Sequence, residues 1–193
     1  MSNTKYDFPS SKDIRKELRR VNRKKDFRSI LLNTIGGLVV AAAAAVLIAV
    51  LLVPVLRIYG HSMDSVLEEG DVVLCLKEDH FETGDVIAFY YNNKVLVKRV
   101  IGKSGDWVDM DEDGNVYVNQ HLLSEPYLSQ KAFGETNITL PYQVPDTQLF
   151  VMGDNRAVSI DSRNTAVGCV SDEMVVGKIF FRVWPLKRFG KIQ

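Results

Sequence analysis

Two cysteines in 193 residues, Cys75 and Cys169, are too few for a disulfide framework and lack metal-ligand spacing. Both are expected to be reduced and buried, although a single bridge between them is compatible with an oxidising compartment. Histidine is scarce too: His61, His80 and His121 are the only candidates for a histidine base. The chain carries no net charge, with 24 Lys/Arg against 24 Asp/Glu, but the balance is uneven along it. Residues 1–28 hold ten basic side chains against four acidic, leaving fourteen against twenty for the rest. Between Arg28 and Arg57 there is no charge at all. A basic arm that runs directly into an apolar stretch points to a membrane and away from nucleic acid.

Within the basic tail, Ile14, Leu18 and Val21 recur at helical spacing, predicting a short amphipathic helix over 11–21 or a solvated tail. The 28 uncharged residues 29–56 make a helix of about 40 Å, longer than a bilayer core of about 30 Å. A cleaved leader has an apolar region of only about 7–15 residues, so this one reads as a retained anchor. The charge bias puts the N-terminus in the cytoplasm and everything after Leu56 outside. Pro54 falls where such a helix can finish.

Beyond Gly60 the pattern turns strand-like. Segments 71–76, 85–91, 95–101, 115–118, 148–152 and 175–183 are rich in Val, Ile, Phe and Tyr and are separated by turn signals. Four Gly-Asp pairs, at Gly70, Gly84, Gly105 and Gly153, read as turns, and Asp113-Gly114-Asn115 as a hairpin tip. The expected organisation is a tail (1–28), an anchor (29–56) and a β-rich domain (57–193), with a looser insertion over about 107–147 that carries Pro126, Pro141 and Pro145.

Gly60-His61-Ser62-Met63 follows six residues after Pro54, where the chain leaves the apolar run. A serine there is a nucleophile only if another group takes its proton. His61 points to the opposite face of an extended segment, and His80 and His121 lie in polar, turn-like stretches. Lys98 and Arg99 sit within Val95-Leu96-Val97-Lys98-Arg99-Val100-Ile101, which otherwise belongs in a core, and pattern alone does not say which faces inward. Chemistry does: a guanidinium stays charged, whereas burial lowers a lysine pKa by up to about 3–5 units. The alternative is that both cations reach a sheet edge and do nothing chemical. A third stretch, 151–163, packs Asp154, Asn155, Arg156, Ser159, Asp161, Ser162 and Arg163 behind a strand, where they could fix a buried lysine.

Together these stretches resemble bacterial signal peptidase I. The resemblance covers the basic tail, the anchor, Gly-His-Ser-Met, Gly84-Asp85-Val86-Ile87-Ala88-Phe89, Val97-Lys98-Arg99-Val100-Ile101-Gly102 and Gly153-Asp154-Asn155-Arg156 through Asp161-Ser162-Arg163. It implies a mainly β fold of antiparallel sheets shared with the self-cleaving SOS repressors. Ser62 would be the nucleophile and Lys98 the general base, with Ser159 bonded to the lysine amine. Asp161 and Arg163 would hold the loop as an ion pair, with Asp154 and Asn155 in support. Ile58, Met63, Leu96 and Val97 match positions that line shallow pockets for an Ala-x-Ala sequence, read from a substrate lying along a strand edge. The partners implied are secreted preproteins and the lipid bilayer, with no nucleic acid, metal or cofactor. Phe180, Phe181 and Trp184 are either core or an apolar surface that dips into the outer leaflet.

The chain also departs from that family. The oxyanion would bind the Ser62 backbone N–H, but Gly60 stands where some members carry a hydroxyl and offers no side-chain donor. Ser65-Val66 replaces the usual Pro-Thr after the nucleophile, and Lys103-Ser104 the Leu-Pro after the base. A catalytically silent relative that assists assembly of secreted proteins would have lost the serine or the lysine. A self-cleaving repressor would carry a DNA-binding domain in place of the uncharged stretch.

Overall fold

The structure, a computed structural model, describes residues 10–192. The first nine residues of the expected tail lie outside the described residues. One helix, α1 (Ser11–Leu52), takes in both the basic stretch and most of the apolar one. Its alanine-rich centre favours a helix. The segment Phe27–Leu47 has a mean hydropathy of 2.3, none of it is buried, and it is long enough to cross a membrane. Gly36 and Gly37, which would each cost about 1 kcal/mol in a water-exposed helix, are common in such spans. The helix stops two residues before Pro54, whose ring disfavours helical backbone at the preceding residue.

The remainder is antiparallel sheet: β1 (Val55–Arg57), β2 (Val72–Leu76), β3 (Val86–Tyr91), β4 (Lys94–Gly102), β5 (Trp107–Met110), β6 (Val116–Val118), β7 (His121–Leu122), β8 (Tyr142–Gln143), β9 (Gln148–Met152), β10 (Val170–Ser171), β11 (Val175–Trp184) and β12 (Gly190–Lys191). The first sheet runs β1-β2-β11-β3-β4-β9-β10, with β12 paired to β11, and the second runs β7-β6-β5-β8. All six segments expected as strands are strands. Those not expected are two to four residues long, too short to show an alternating pattern.

The uncharged stretch does not act as one element up to Leu56. Its last residues form β1, in which Leu56 pairs with Val73. Residues 107–147, expected as a looser insertion, hold the whole second sheet. That sheet shares a core with the first: Val108, Met110, Val116 and Val144 pack with Ile101, Phe150 and Met152. Each such buried aliphatic contributes about 1.5–3 kcal/mol.

Three of the four Gly-Asp pairs are one repeated turn. Gly70, Gly84 and Gly105 have φ of +92°, +99° and +83°. The aspartate that follows accepts the N–H three residues back: Asp71 from Glu68, Asp85 from Glu82 and Asp106 from Lys103, at 2.7–3.1 Å. Gly153-Asp154 is different, because Asp154 turns inward to Arg99.

Candidate active site

Lys98 lies in the middle of β4, opposite Ile87 of β3, and is only 3 % exposed. Its Nζ is 2.7 Å from Ser62 Oγ. Arg99, on the other face of the strand, is buried as well, so neither cation reaches a sheet edge. The two differ in what meets them. Arg99 donates to both carboxylate oxygens of Asp154, at 2.8 and 2.7 Å, and to the Gly84 carbonyl oxygen at 2.7 Å.

Two further buried ion pairs flank the end of β9. Arg163 donates to both oxygens of Asp161, which also accepts the Gly153 N–H at 2.9 Å. Arg156 is paired with Glu125 and donates to the Gly153 carbonyl oxygen at 3.0 Å. Three buried guanidinium groups thus use three buried carboxylates. Lys98 forms no ion pair with a carboxylate among the described residues. Burial therefore governs it and pushes the amine down to about 8, while Asp161, Arg163 and Asp154 act on it with opposing signs. Asp161 is held below the usual carboxylate range: burial opposes its charge, but Arg163 and the Gly153 N–H outweigh burial.

The serine is presented by the loop 59–66. Asn155 fastens this loop to the segment after β9, its N–H donating to the Ser62 carbonyl oxygen at 3.0 Å and its side-chain amide to the His61 carbonyl oxygen at 3.1 Å. The approach is tight: a Cβ on Gly153 would overlap both the Ser62 carbonyl oxygen and Ser159 Oγ. Gly60 has φ +82° and open space beside it. The Ser62 N–H donates to no acceptor among the described residues, so it is available to an oxyanion. Ser65 has φ +94°, a value closed to proline, whose ring fixes φ near −65°. Its hydroxyl donates to the Tyr127 carbonyl oxygen at 3.1 Å.

The expected bond from Ser159 to the lysine amine is not formed. Ser159 is buried, and its Oγ meets no partner in good hydrogen-bond geometry among the described residues, although the hydroxyl lies close enough to Asp161 to help hold that carboxyl low. The histidines are all exposed, His61 lying against Asp64 and Glu69. Cys75 and Cys169 are free thiols in separate core clusters, each pushed up to about 11 by burial. Phe180 and Phe181 are half-buried, while Trp184 is 56 % exposed.

Ile58, Met63, Leu96 and Val97 line one cleft with Ser62, a cavity of about 90 Å³. Its walls are two open strand edges. β1 pairs only with β2, and β4 pairs with β9 only from Arg99 onward, which leaves residues 95–97 unpaired on the cleft side. Extended chain placed there would have backbone partners on either hand.

Glu125 and Tyr127 escaped the sequence reading. Three arginines in apolar or loop-core stretches require three carboxylates. Asp154 and Asp161 supply two, so the count itself calls for one more from elsewhere in the chain.

Comparison with known proteins agrees on one family. The profile described as Signal peptidase, peptidase S26, matches residues 31–184. Signal peptidase IB of Staphylococcus aureus is 35% identical over 179 residues, covering 82% of this chain and 92% of that protein. Signal peptidase I of Bacillus licheniformis is 33% identical over 177 residues, covering 85% and 94%. The crystal structure of a signal peptidase I from Enterococcus faecalis shares 31% identity and superposes with a TM-score of 0.45, over 51% of this chain and 96% of that one.

Proposed function

Since the chain belongs to the signal peptidase family, peptidase S26, we propose that it cleaves leader sequences from exported preproteins with Ser62 as nucleophile and Lys98 as general base. The observation that carries this reading is the 2.7 Å separation of Lys98 Nζ and Ser62 Oγ at a buried position where the amine forms no ion pair with a carboxylate among the described residues. A neutral amine has a lone pair for the serine proton; a protonated one has none.

The substrate lies extended between the open edges of β1 and β4, with alternate side chains directed into the cleft. Such a cavity takes small side chains, the Ala-x-Ala pattern. Ser62 Oγ attacks the carbonyl carbon of the last alanine as its proton passes to Lys98 Nζ. The Ser62 N–H stabilises the oxyanion. Because Gly60 has no side-chain donor, a backbone group or water provides the second hydrogen bond, and a missing donor costs about 10²-fold or more in rate. Lys98 then returns the proton to the departing amine, leaving an ester on Ser62. Water gives a proton to Lys98 and attacks the ester, and that proton restores Ser62. Asp154, Asn155, Ser159, Asp161 and Arg163 do not touch the reacting atoms; they hold the loop that holds Ser62.

The helical segment Phe27–Leu47 anchors the chain, with the basic end in the cytoplasm and the β-rich part outside. A silent assembly role finds no support here, as both the serine and the lysine are present.

The test is cleavage of a preprotein ending its leader in Ala-x-Ala by the purified protein in detergent. Wild type cuts after the second alanine, whereas Ser62→Ala and Lys98→Ala do not. Cleavage that survives in Lys98→Ala removes the lysine from this role.

A further inference from the structure

Resting on the Ser62 and Lys98 reading, we propose that Tyr127 is a positioning residue that ties the nucleophile's loop to the buried ion pairs around the base. Tyr127 lies in the segment between β7 and β8, far from either catalytic residue in sequence. It makes three contacts. Its carbonyl oxygen accepts the Ser65 hydroxyl at 3.1 Å, three residues beyond the nucleophile. Its ring covers the guanidinium of Arg99, 3.7 Å from ring centre to Cζ, next to the base on β4. Its hydroxyl donates to Glu125 Oε1 at 2.9 Å, and Glu125 pairs with Arg156, which holds the Gly153 carbonyl oxygen.

Each contact answers a local need. Ser65 sits at φ +94°, a conformation that costs a non-glycine residue about 1–3 kcal/mol and persists only when its surroundings impose it. The tie to Tyr127 is the only hydrogen bond of the Ser65 side chain among the described residues. Arg99 has its edge filled by Asp154 and Gly84, and the tyrosine ring closes one face of the guanidinium against water. Glu125 serves Arg156 and Tyr127 at once, so the loop of Ser62 and the loop of Gly153 lean on one residue. The reacting pair is 2.7 Å apart but comes from elements 36 residues apart in sequence, and a shift of about 1 Å costs up to about 10²-fold in rate.

The experiment compares kcat, KM, the pH profile of kcat and Tm for the full chain in detergent, acting on an Ala-x-Ala peptide. The variants are Tyr127→Leu, Tyr127→Phe and Ser65→Ala, with Ser62→Ala and Lys98→Ala as controls. Tyr127→Leu is expected to lower kcat roughly 10- to 100-fold with KM within about twofold, while the acidic limb of the profile stays in place, because the ring covers Arg99 on the face of β4 opposite Lys98. Tyr127→Phe keeps the ring and recovers most of that loss. Ser65→Ala, an exposed single-atom deletion that leaves Tm unchanged, lowers kcat severalfold. The inference is overturned if Tyr127→Leu and Ser65→Ala keep wild-type kcat, or if their losses vanish once rates are corrected for the folded fraction. Activity persisting in either control refutes the Ser62 and Lys98 reading instead.

Discussion

The backbone N–H of Asn155 donates to the carbonyl oxygen of Ser62 at 3.0 Å, so the serine proposed as nucleophile is hung from the loop that follows β9. That loop is rigid because its charged side chains are spent internally: Asp161 on Arg163 and on the Gly153 N–H, Arg156 on Glu125 and on the Gly153 carbonyl oxygen. Rigidity there becomes position at Ser62, and position decides whether the serine meets Lys98, a buried cation that forms no ion pair among the described residues.

Gly153 is where this docking is tightest. Gly153→Ala forces a methyl group into the Ser62 carbonyl oxygen, which the Asn155 N–H holds in place, and into the buried Ser159 Oγ. Its kcat is expected to fall by about 10²-fold or more, because the serine loop must move away from Lys98. Steady-state kinetics on a variant with wild-type circular dichroism checks this; unchanged kcat would show that the loop yields without consequence.

Asp154 is a matter of stability first. Asp154→Asn leaves the Arg99 guanidinium buried with the Asp154 counter-charge gone, and breaking such a pair costs about 3–5 kcal/mol. Urea unfolding should show that loss. The double change Arg99→Met with Asp154→Leu removes both charges and should recover much of it, which a simple packing role for Asp154 would not produce.

Lys98 makes the native state pH-dependent. Its folded pKa of about 8 lies below the unfolded value of about 10.4, so the unfolded chain binds the extra proton between those two values. Stability therefore rises with pH across that window, and below pH 8 the lysine costs on the order of 3 kcal/mol in full. Lys98→Met should be more stable than wild type at pH 7, with the advantage shrinking toward pH 10. Denaturant titrations at the two pH values measure it, and a constant difference would mean that the amine is not desolvated.

On the proposed reading, the cleft sets the side-chain size accepted before the cut. Leu96→Ala enlarges a cavity of about 90 Å³ at a half-buried position. The ratio of kcat/KM for a leader ending in Val over one ending in Ala should rise by roughly tenfold, the worth of a methylene or two in an apolar pocket. An unchanged ratio would place the discriminating contact elsewhere.

Much of this was legible in the chain because the strands near the site are long enough to show their pattern and because Lys98 stands out against the aliphatic residues around it. Arg99 looked equivalent by pattern; its partner Asp154 sits 55 residues away, and only the fold reveals that Asp154 spends its charge there. The same is true of Gly153-Asp154, which reads like the three Gly-Asp turns but is not one. Of the second sheet only β6 was legible; β5, β7 and β8 run two to four residues, and with them went Glu125 and Tyr127. Leu56 was assigned to the anchor by its lack of charge, but hydropathy does not distinguish the end of a span from a half-buried residue of an edge strand.

The central claim is that a neutral Lys98 takes the proton of Ser62, and the pH dependence of kcat/KM on an Ala-x-Ala peptide tests it most directly. Because only the unprotonated amine works, the rate should fall about tenfold per pH unit on the acid side, with a midpoint near 8. A midpoint near the ordinary lysine value of about 10.4, or a flat profile between pH 6 and 9, would contradict the account.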